Sequence, residues 1–254
     1  IHPKHPAGSY PFPDLSGAGV ALKIAAALLG EMPFESLDLA AIGTVADLVS
    51  LTGENRWIVK QGLQVMKQAH RLGLAALMEA AGIDTAVLNA VGRLEDAGPG
   101  AELMLSFDEE KIAELVAYIQ EKNVERQSIV QSIHEEARIQ LAKNENLPDV
   151  VVLGNKNWHQ GVLGIVASKL VEEFGRPTVL FNIDEKTGIA KGSARSTEAL
   201  DIYAALADAK DSLTKFGGHK MAAGMSLPAA DLAAFSEEIN NYAARYHDAI
   251  VLGE

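Results

Sequence analysis

Four clusters of glycine, polar and ionisable residues interrupt an otherwise apolar pattern, and each carries residue types that can hold a ligand. In Gly43-Thr44-Val45-Ala46-Asp47-Leu48-Val49, Asp47 follows a run of small residues. A carboxylate there caps a helix, accepts hydrogen bonds or binds a cation, and capping is the ordinary reading. In Asn89-Ala90-Val91-Gly92-Arg93-Leu94-Glu95-Asp96, the planar fork of Arg93 stands beside a glycine that admits close backbone approach. That suits a phosphate or carboxylate, with a surface loop as the simpler alternative. The third cluster joins Trp158-His159-Gln160-Gly161-Val162-Leu163-Gly164 with Gly192-Ser193-Ala194-Arg195-Ser196. Both segments fall at strand ends or strand-to-helix turns, where α/β sheets carry their ligands. The fourth, Phe216-Gly217-Gly218-His219-Lys220, offers backbone N–H groups and cationic donors to an anion, and a plain turn at the glycine pair competes with that reading.

Several other chemistries are excluded. The chain has no cysteine, which removes thiol nucleophiles, zinc ribbons and disulfide scaffolds. Gly17-Ala18-Gly19 lacks both the third glycine and the preceding strand of a dinucleotide fingerprint. No GxxxxGK[ST], GxSxG or HExxH run occurs. His2 and His5 sit on a proline-broken loop and read as solvated.

The elements that must position these clusters follow from periodicity. Leu15, Val20, Ile24, Leu28 and Leu29 predict a helix stopped by Gly30 and Pro33. Residues 36–46 are apolar and small, 51–55 read as a turn, and 57–78 as helix with a break at Gly73. Residues 107–146 hold no Pro or Gly and repeat apolar positions every three or four residues, which predicts one long amphipathic helix or two abutting ones. Beyond Asp149 the texture becomes α/β: strands at 150–153, 177–182, 188–193 and 223–227, helices at 162–174 and 230–247. A length of 254 residues at 48% hydrophobic and 22% charged content fits two globular domains. No apolar run approaches the ~18 residues of a spanning helix, so the chain is expected to be soluble, unexported and cytoplasmic, with no membrane partner. A net charge of −12 argues against a protein that coats nucleic acid non-specifically.

Taken in order, these segments resemble the RecJ-type exonucleases of the DHH phosphoesterase superfamily. YPFPDLSGAGVALKIAAALL resembles the stretch after that family's Asp-His-His motif, AIGTVADLVSLTGENR its fourth acidic motif, and LNAVGRLEDAG its arginine-bearing loop. WHQGVLGIVASKL, KGSARS and FGGHKMAAG resemble three motifs of the DHH-associated domain. The resemblance spans essentially the whole chain. It implies the C-terminal part of a DHH catalytic domain over 1–106, mostly helical, a connecting helix over 107–146, and a smaller α/β DHH-associated domain over 147–254. It also implies 5′-to-3′ hydrolysis of single-stranded DNA in recombination and repair, by two-metal chemistry. Asp47 is then a catalytic ligand of Mn²⁺ or Mg²⁺. Ser193, Arg195 and His219 hold the substrate's phosphates, with Gly217 and Gly218 shaping that segment. Arg93 and Asn89 contact DNA beside the active site. His159 matches its motif, with core packing against Trp158 as the alternative. Implied partners are single-stranded DNA with a 5′ end, the upstream part of the protein as a separate chain, and a single-strand-binding protein or helicase.

The sequence departs from the family pattern in two places. The upstream Asp-x-Asp, lone Asp and Asp-His-His ligands do not occur in these residues, and Gly82-Ile83-Asp84-Thr85 stands where the family carries a Pro-Arg pair. The chain is therefore expected to be the second half of the nuclease, entered mid-protein at Ile1, without the oligonucleotide-binding fold that follows in RecJ, and inactive alone. Competing functions are an oligoribonuclease or nucleotide phosphatase of the same superfamily, and a non-catalytic nucleic-acid-binding scaffold. The charge distribution refines the first argument: each of the three segments carries −4, yet Lys186, Lys191 and Arg195 flank one motif. Lys215, His219 and Lys220 flank another, with no acid from Ser212 to Ala230.

Overall fold

A computed structural model describes residues 3, 8–47, 49–67, 71–80, 94, 98–143 and 146–252. The chain divides into two compact units, Ile1–Asn123 and Val124–Glu254. The first is helical among its described residues: α1 (Gly17–Leu29), α2 (Leu37–Ala46), α3 (Gly53–Met66), α4 (Leu72–Ala80), α5 (Gly98–Leu105) and the first part of α6 (Glu109–Leu141). Ser16 caps α1 by accepting from the Gly19 N–H at 2.9 Å, and Gly30 ends it in the left-handed conformation only glycine adopts freely. Thr52 precedes α3, so Gly53-Glu54-Asn55 form its first turn rather than the free-standing turn their composition suggests. The break expected at Gly73 falls before it, between α3 and α4. Gly73 lies inside α4, where an added Cβ would come within 1.9 Å of the Leu103 carbonyl oxygen, so its role is close helix approach.

Two apolar clusters stand out among the described residues of this unit. Leu15, Leu22, Leu37, Ala40 and Ile58 join α1, α2 and α3, while Leu77, Leu103, Ile112, Leu115 and Ile119 join α4, α5 and α6. Polar ties fix the first. Buried Asn55 donates to the carbonyls of Asp14 (2.7 Å) and Ser50 (3.0 Å) and accepts from the Ser16 N–H (3.3 Å). Ser16 and Thr44 share a 2.7 Å hydroxyl contact. Tyr10 donates to Glu54 at 2.7 Å, and Lys23 pairs with the same carboxylate at 3.1 Å. Burial and that hydrogen bond push the Tyr10 hydroxyl above its ordinary pKa.

Helix α6 is one continuous helix of 33 residues, about 50 Å at 1.5 Å per residue, in place of the 40 the composition allowed. Asp108 opens it by accepting from the Glu110 and Lys111 N–H groups at 3.0 and 3.2 Å. Its later turns bury Val130, Ile133, Ala137 and Leu141.

The second unit is built on a five-stranded sheet of order β1-β2-β3-β5-β4: β1 (Val151–Asn155), β2 (Thr178–Asp184), β3 (Ile189–Arg195), β4 (Lys215–His219) and β5 (Ala222–Pro228). Only β1 and β2 run parallel, joined through α7 (Leu163–Phe174) as their spacing predicted, and the other neighbours are antiparallel. Strand β4 was not legible as a strand; the glycine pair lies inside it, followed by a two-residue turn at Lys220-Met221. Helices α8 (Ile202–Asp208), α9 (Leu232–Ala243) and α10 (His247–Leu252) complete the unit.

The sheet's two faces differ in kind. Val179, Phe181, Ala190, Ala194, Met225 and Leu227 pack against Ile202, Leu206, Phe235 and Ile239. Phe181 and Phe235 meet edge to face at 5.7 Å. Asn240 of α9 locks the entry to β1, its Oδ1 accepting from the Val150 N–H and its Nδ2 donating to the Val150 carbonyl. On the opposite face α7 covers β2 and β3 with Leu163, Val166, Ala167 and Leu170.

Candidate functional site

Because side chains alternate along a strand, the register decides which candidate residues share the second face. Thr178, Arg195, Ala222 and His219 form one cross-strand row; Leu180, Ser193, Gly224 and Gly217 form the next; Asn182, Lys191, Ser226 and Lys215 form a third. Ser193, Arg195, Gly217 and His219 therefore lie on one side of three adjacent strands, although 26 positions separate Ser193 from His219 in sequence. Over β5 and β4 this side is floored by Gly224 and Gly217, both exposed, and an added Cβ on Gly217 would meet nothing within 4 Å. It is an open, basic, nearly side-chain-free floor. Gly218 alternates to the other side, where an added Cβ would press within 2.5 Å of Ala223 Cα, and its φ of 151° also favours glycine. The turn reading of the glycine pair is thus replaced by an edge strand in which one glycine opens the floor and the other permits close packing.

Arg195 is the best-positioned donor. Half-buried, its Nη1 donates to the Ala194 carbonyl at 2.7 Å and to Ser193 Oγ at 3.3 Å. The start of α7 closes against it. An added Cβ on Gly164 would lie 2.7 Å from Arg195 Nη2 and 3.0 Å from Ser193 Oγ. A guanidinium, a hydroxyl and the positive end of a helix dipole converge there, which favours an anion.

The turn leading into α7 is held from below. Trp158, almost fully buried, donates Nε1–H to Glu136 of α6 at 2.9 Å, and its carbonyl accepts from Asn182 at 2.7 Å. The same Glu136 oxygen accepts from Asn155 at 3.3 Å. His159 is exposed, so it does not pack into the core beside Trp158. Its Nδ1 accepts from the Gly161 N–H at 3.2 Å, which places the proton of the neutral ring on Nε2. Glu136, Asn182 and Gly164 were not legible as site residues; the only trace was the position of Gly164 inside a motif. Asn89 and Arg93 lie outside the described residues.

In the first unit, Asp47 stands at the C-terminal end of α2, exposed, its N–H donating to the Gly43 carbonyl at 3.1 Å. The N-capping role expected of an aspartate does not apply, since Asp47 sits at the opposite end, where a carboxylate faces the negative pole of the helix. Its carboxylate has no hydrogen bond or ion pair among the described residues. The motif around it is used for packing: Thr44 bonds Ser16, and an added Cβ on Gly43 would strike Ala18 at 2.5 Å. No group of three His, Cys, Asp or Glu side chains able to hold a metal occurs among the described residues. Asp47 fits one oxygen ligand of a divalent ion and not a complete cage.

The fold and this face define a class. Residues 147–245, which lie within the second unit, match the model of the DHHA1 domain. The chain as a whole is a homologue of RecJ, corresponding to part of that longer protein. It is 45% identical over 257 residues to the single-stranded-DNA-specific exonuclease RecJ of Bacillus subtilis, covering 96% of this chain and 33% of that one. Crystal structures of Thermus thermophilus RecJ in complex with Mg²⁺ and with Mn²⁺ superpose with a TM-score of 0.81 at 33% identity. The Mg²⁺ complex covers 95% of this chain and 40% of the Thermus chain, and the Mn²⁺ complex 93% and 37%. The chain thus spans well under half the length of these relatives.

Proposed function

We propose that the chain is part of a metal-dependent 5′-to-3′ exonuclease that hydrolyses phosphodiester bonds of single-stranded DNA in recombination and repair. In this reading residues 1–106 belong to its DHH catalytic domain, 107–146 connect, and 147–254 clamp the substrate. The observation that carries it is the Arg195–Ser193 pair seated against Gly164 at the start of α7, bordering an open glycine floor. Arg195 grips a backbone phosphate through its fork, Ser193 adds a donor, and His219, on the Arg195 row, adds a third. Contacts of this kind position a strand without reading its bases. His159 lines the turn before α7, and the family resemblance makes Asn89 and Arg93 DNA contacts as well.

Asp47 is the chain's ligand to Mn²⁺ or Mg²⁺; such ions, when bound, lower the pKa of a water and neutralise charge on the reacting phosphate. The ions in the structures of the relatives support the choice of metal. The remaining ligands come from the upstream catalytic segment, so this chain alone is inactive. Its other partners are a single strand with a 5′ end and a single-strand-binding protein or helicase that presents it, in the cytoplasm.

The test is binding of a 5′-phosphorylated oligonucleotide by the chain, with and without Arg195→Ala, across a salt series. Loss of one phosphate contact lowers the slope of log K against log salt by about 0.7. An unchanged slope would remove Arg195 from the clamp. A parallel incubation with Mn²⁺ should leave the oligonucleotide intact, and Asp47-dependent digestion would overturn the claim that the chain lacks a complete metal site.

A further inference from the structure

Past the Arg195 row, the same face of the sheet runs into a polar cleft of about 540 Å³ that the clamp does not use. Asn157, Gln160, Asn182, Lys186 and Lys191 wall it. Lys191 and Arg195 lie on the same side of β3, about 13 Å apart at ~3.3 Å per residue. Asn182, paired with Lys191 in register, is fixed by donating to the carbonyls of Trp158 and Lys156 at 2.7 and 3.4 Å.

The wall's acids are already engaged. Asp184 accepts from the Lys186 N–H at 2.9 Å and the Thr187 hydroxyl at 2.8 Å, and Glu185 pairs with Lys156 at 3.1 Å. Among the described residues, the side chains of Asn157, Gln160, Lys186 and Lys191 make no hydrogen bond or ion pair. Lys156, Lys186 and Lys191 set against Asp184 and Glu185 leave the wall one positive charge in excess, and two of its ammonium groups make no ion pair, beside two amides that each both donate and accept. A bare anion would need only the lysines. A nucleotide uses all four, its phosphate on the ammonium groups and its base edge on the amides, and the volume lies in the range of small-ligand sites.

We propose that this cleft is a second nucleotide subsite, taking a nucleotide further along the strand held at Arg195; it rests on the clamp reading above. The separation from Arg195 makes it reachable by a long strand and not by a very short one.

The test measures binding of oligothymidylates of about 2 and about 12 nucleotides, the shorter unable to span from Arg195 to Lys191 and the longer within the range of one small-domain site, to the wild-type chain and its variants. Lys186→Ala/Lys191→Ala is expected to weaken the long oligomer roughly tenfold and lower its salt slope by about 0.7, one phosphate's worth, while changing the short one less than about twofold. Asn157→Ala is expected to weaken the long oligomer with no change of slope, the mark of a base-edge contact; no effect there overturns the base half of the proposal. Arg195→Ala should weaken both lengths. If Arg195→Ala loses both lengths and the lysine variant loses neither, or loses both equally, the subsite alone fails. If Arg195→Ala binds like wild type at both lengths, the clamp reading fails, and the subsite that rests on it goes too.

Discussion

Gly164→Ala separates the clamp from the fold more cleanly than any substitution of a charged residue. The new methyl group would sit 2.7 Å from Arg195 Nη2 and 3.2 Å from Arg195 Cζ, against an optimum of about 3.5 Å or more for such contacts. The shortfall, about 0.8 Å at the nearest atom, falls on the far end of a flexible side chain, so the guanidinium yields and the backbone does not. Moving it strains the 2.7 Å bond to the Ala194 carbonyl and misaligns the fork against a phosphate. A charged hydrogen bond contributes about 1.5–3 kcal/mol, so affinity for single-stranded DNA should fall roughly ten- to a hundredfold. Stability moves little: alanine gains up to about 1 kcal/mol over glycine inside a helix, which offsets the crowding, and Tm should stay within about 3 °C. Fluorescence anisotropy with a 5′-labelled oligothymidylate reads the first quantity and thermal unfolding the second. Unchanged affinity would show that Arg195 does not grip the strand. A parallel collapse of Tm and affinity would show that Gly164 serves packing alone.

Asn55→Ala removes three hydrogen bonds around a fully buried side chain, those to the Ser16 N–H and to the Asp14 and Ser50 carbonyls. It should cost about 3 kcal/mol or more in urea unfolding, and Asn55→Asp, which cannot donate, should not restore it. Trp158→Phe keeps the ring buried but strips the donor from Glu136; a loss of about 1.5–3 kcal/mol is expected, with DNA affinity weakened through the displaced turn. Thr187→Val removes the hydroxyl that, with the Lys186 N–H, holds the Asp184 carboxyl below its ordinary value of 3.8. The wild-type pairing stabilises above the unfolded pKa and is lost as pH falls through the folded one. NMR titration of Asp184 should therefore move up toward 3.8 in the variant, and an unmoved midpoint would deny the hydroxyl that role.

The parts legible from sequence were those whose signal is local. The α1 stop at Gly30, the long helix without Pro or Gly, and the β1–α7–β2 passage all write their boundaries into adjacent residues. Strand β4 hid because Lys215-Phe216-Gly217-Gly218-His219 has one apolar side chain and two glycines, a composition that strands avoid and turns favour. Its partner β5 carries no such handicap and was visible. The site followed the same rule. Ser193, Arg195 and His219 were identifiable one by one from the family resemblance, but their common face is a property of register across three strands, which no single segment encodes. Glu136 and Trp158 are 22 residues apart on different elements, and only the packed unit reveals that one carboxylate anchors the turn. The small-residue run before Asp47 is plain in the sequence, yet the exposed position of Asp47 at the tail of α2 depends on how α1 packs against that run.

Strand β4 is the last strand of its sheet, so along its outer edge backbone N–H and C=O groups face away from any neighbour in the sheet. Such an open edge admits another polypeptide strand, and edges of this kind nucleate aggregation. What holds this edge in check is its composition: glycines that pair weakly as strand residues, and Lys215 and His219 on the exposed side. Replacing Gly217 by valine would raise strand propensity and close the floor in one step. The resulting protein should bind DNA less well and, at high concentration, self-associate.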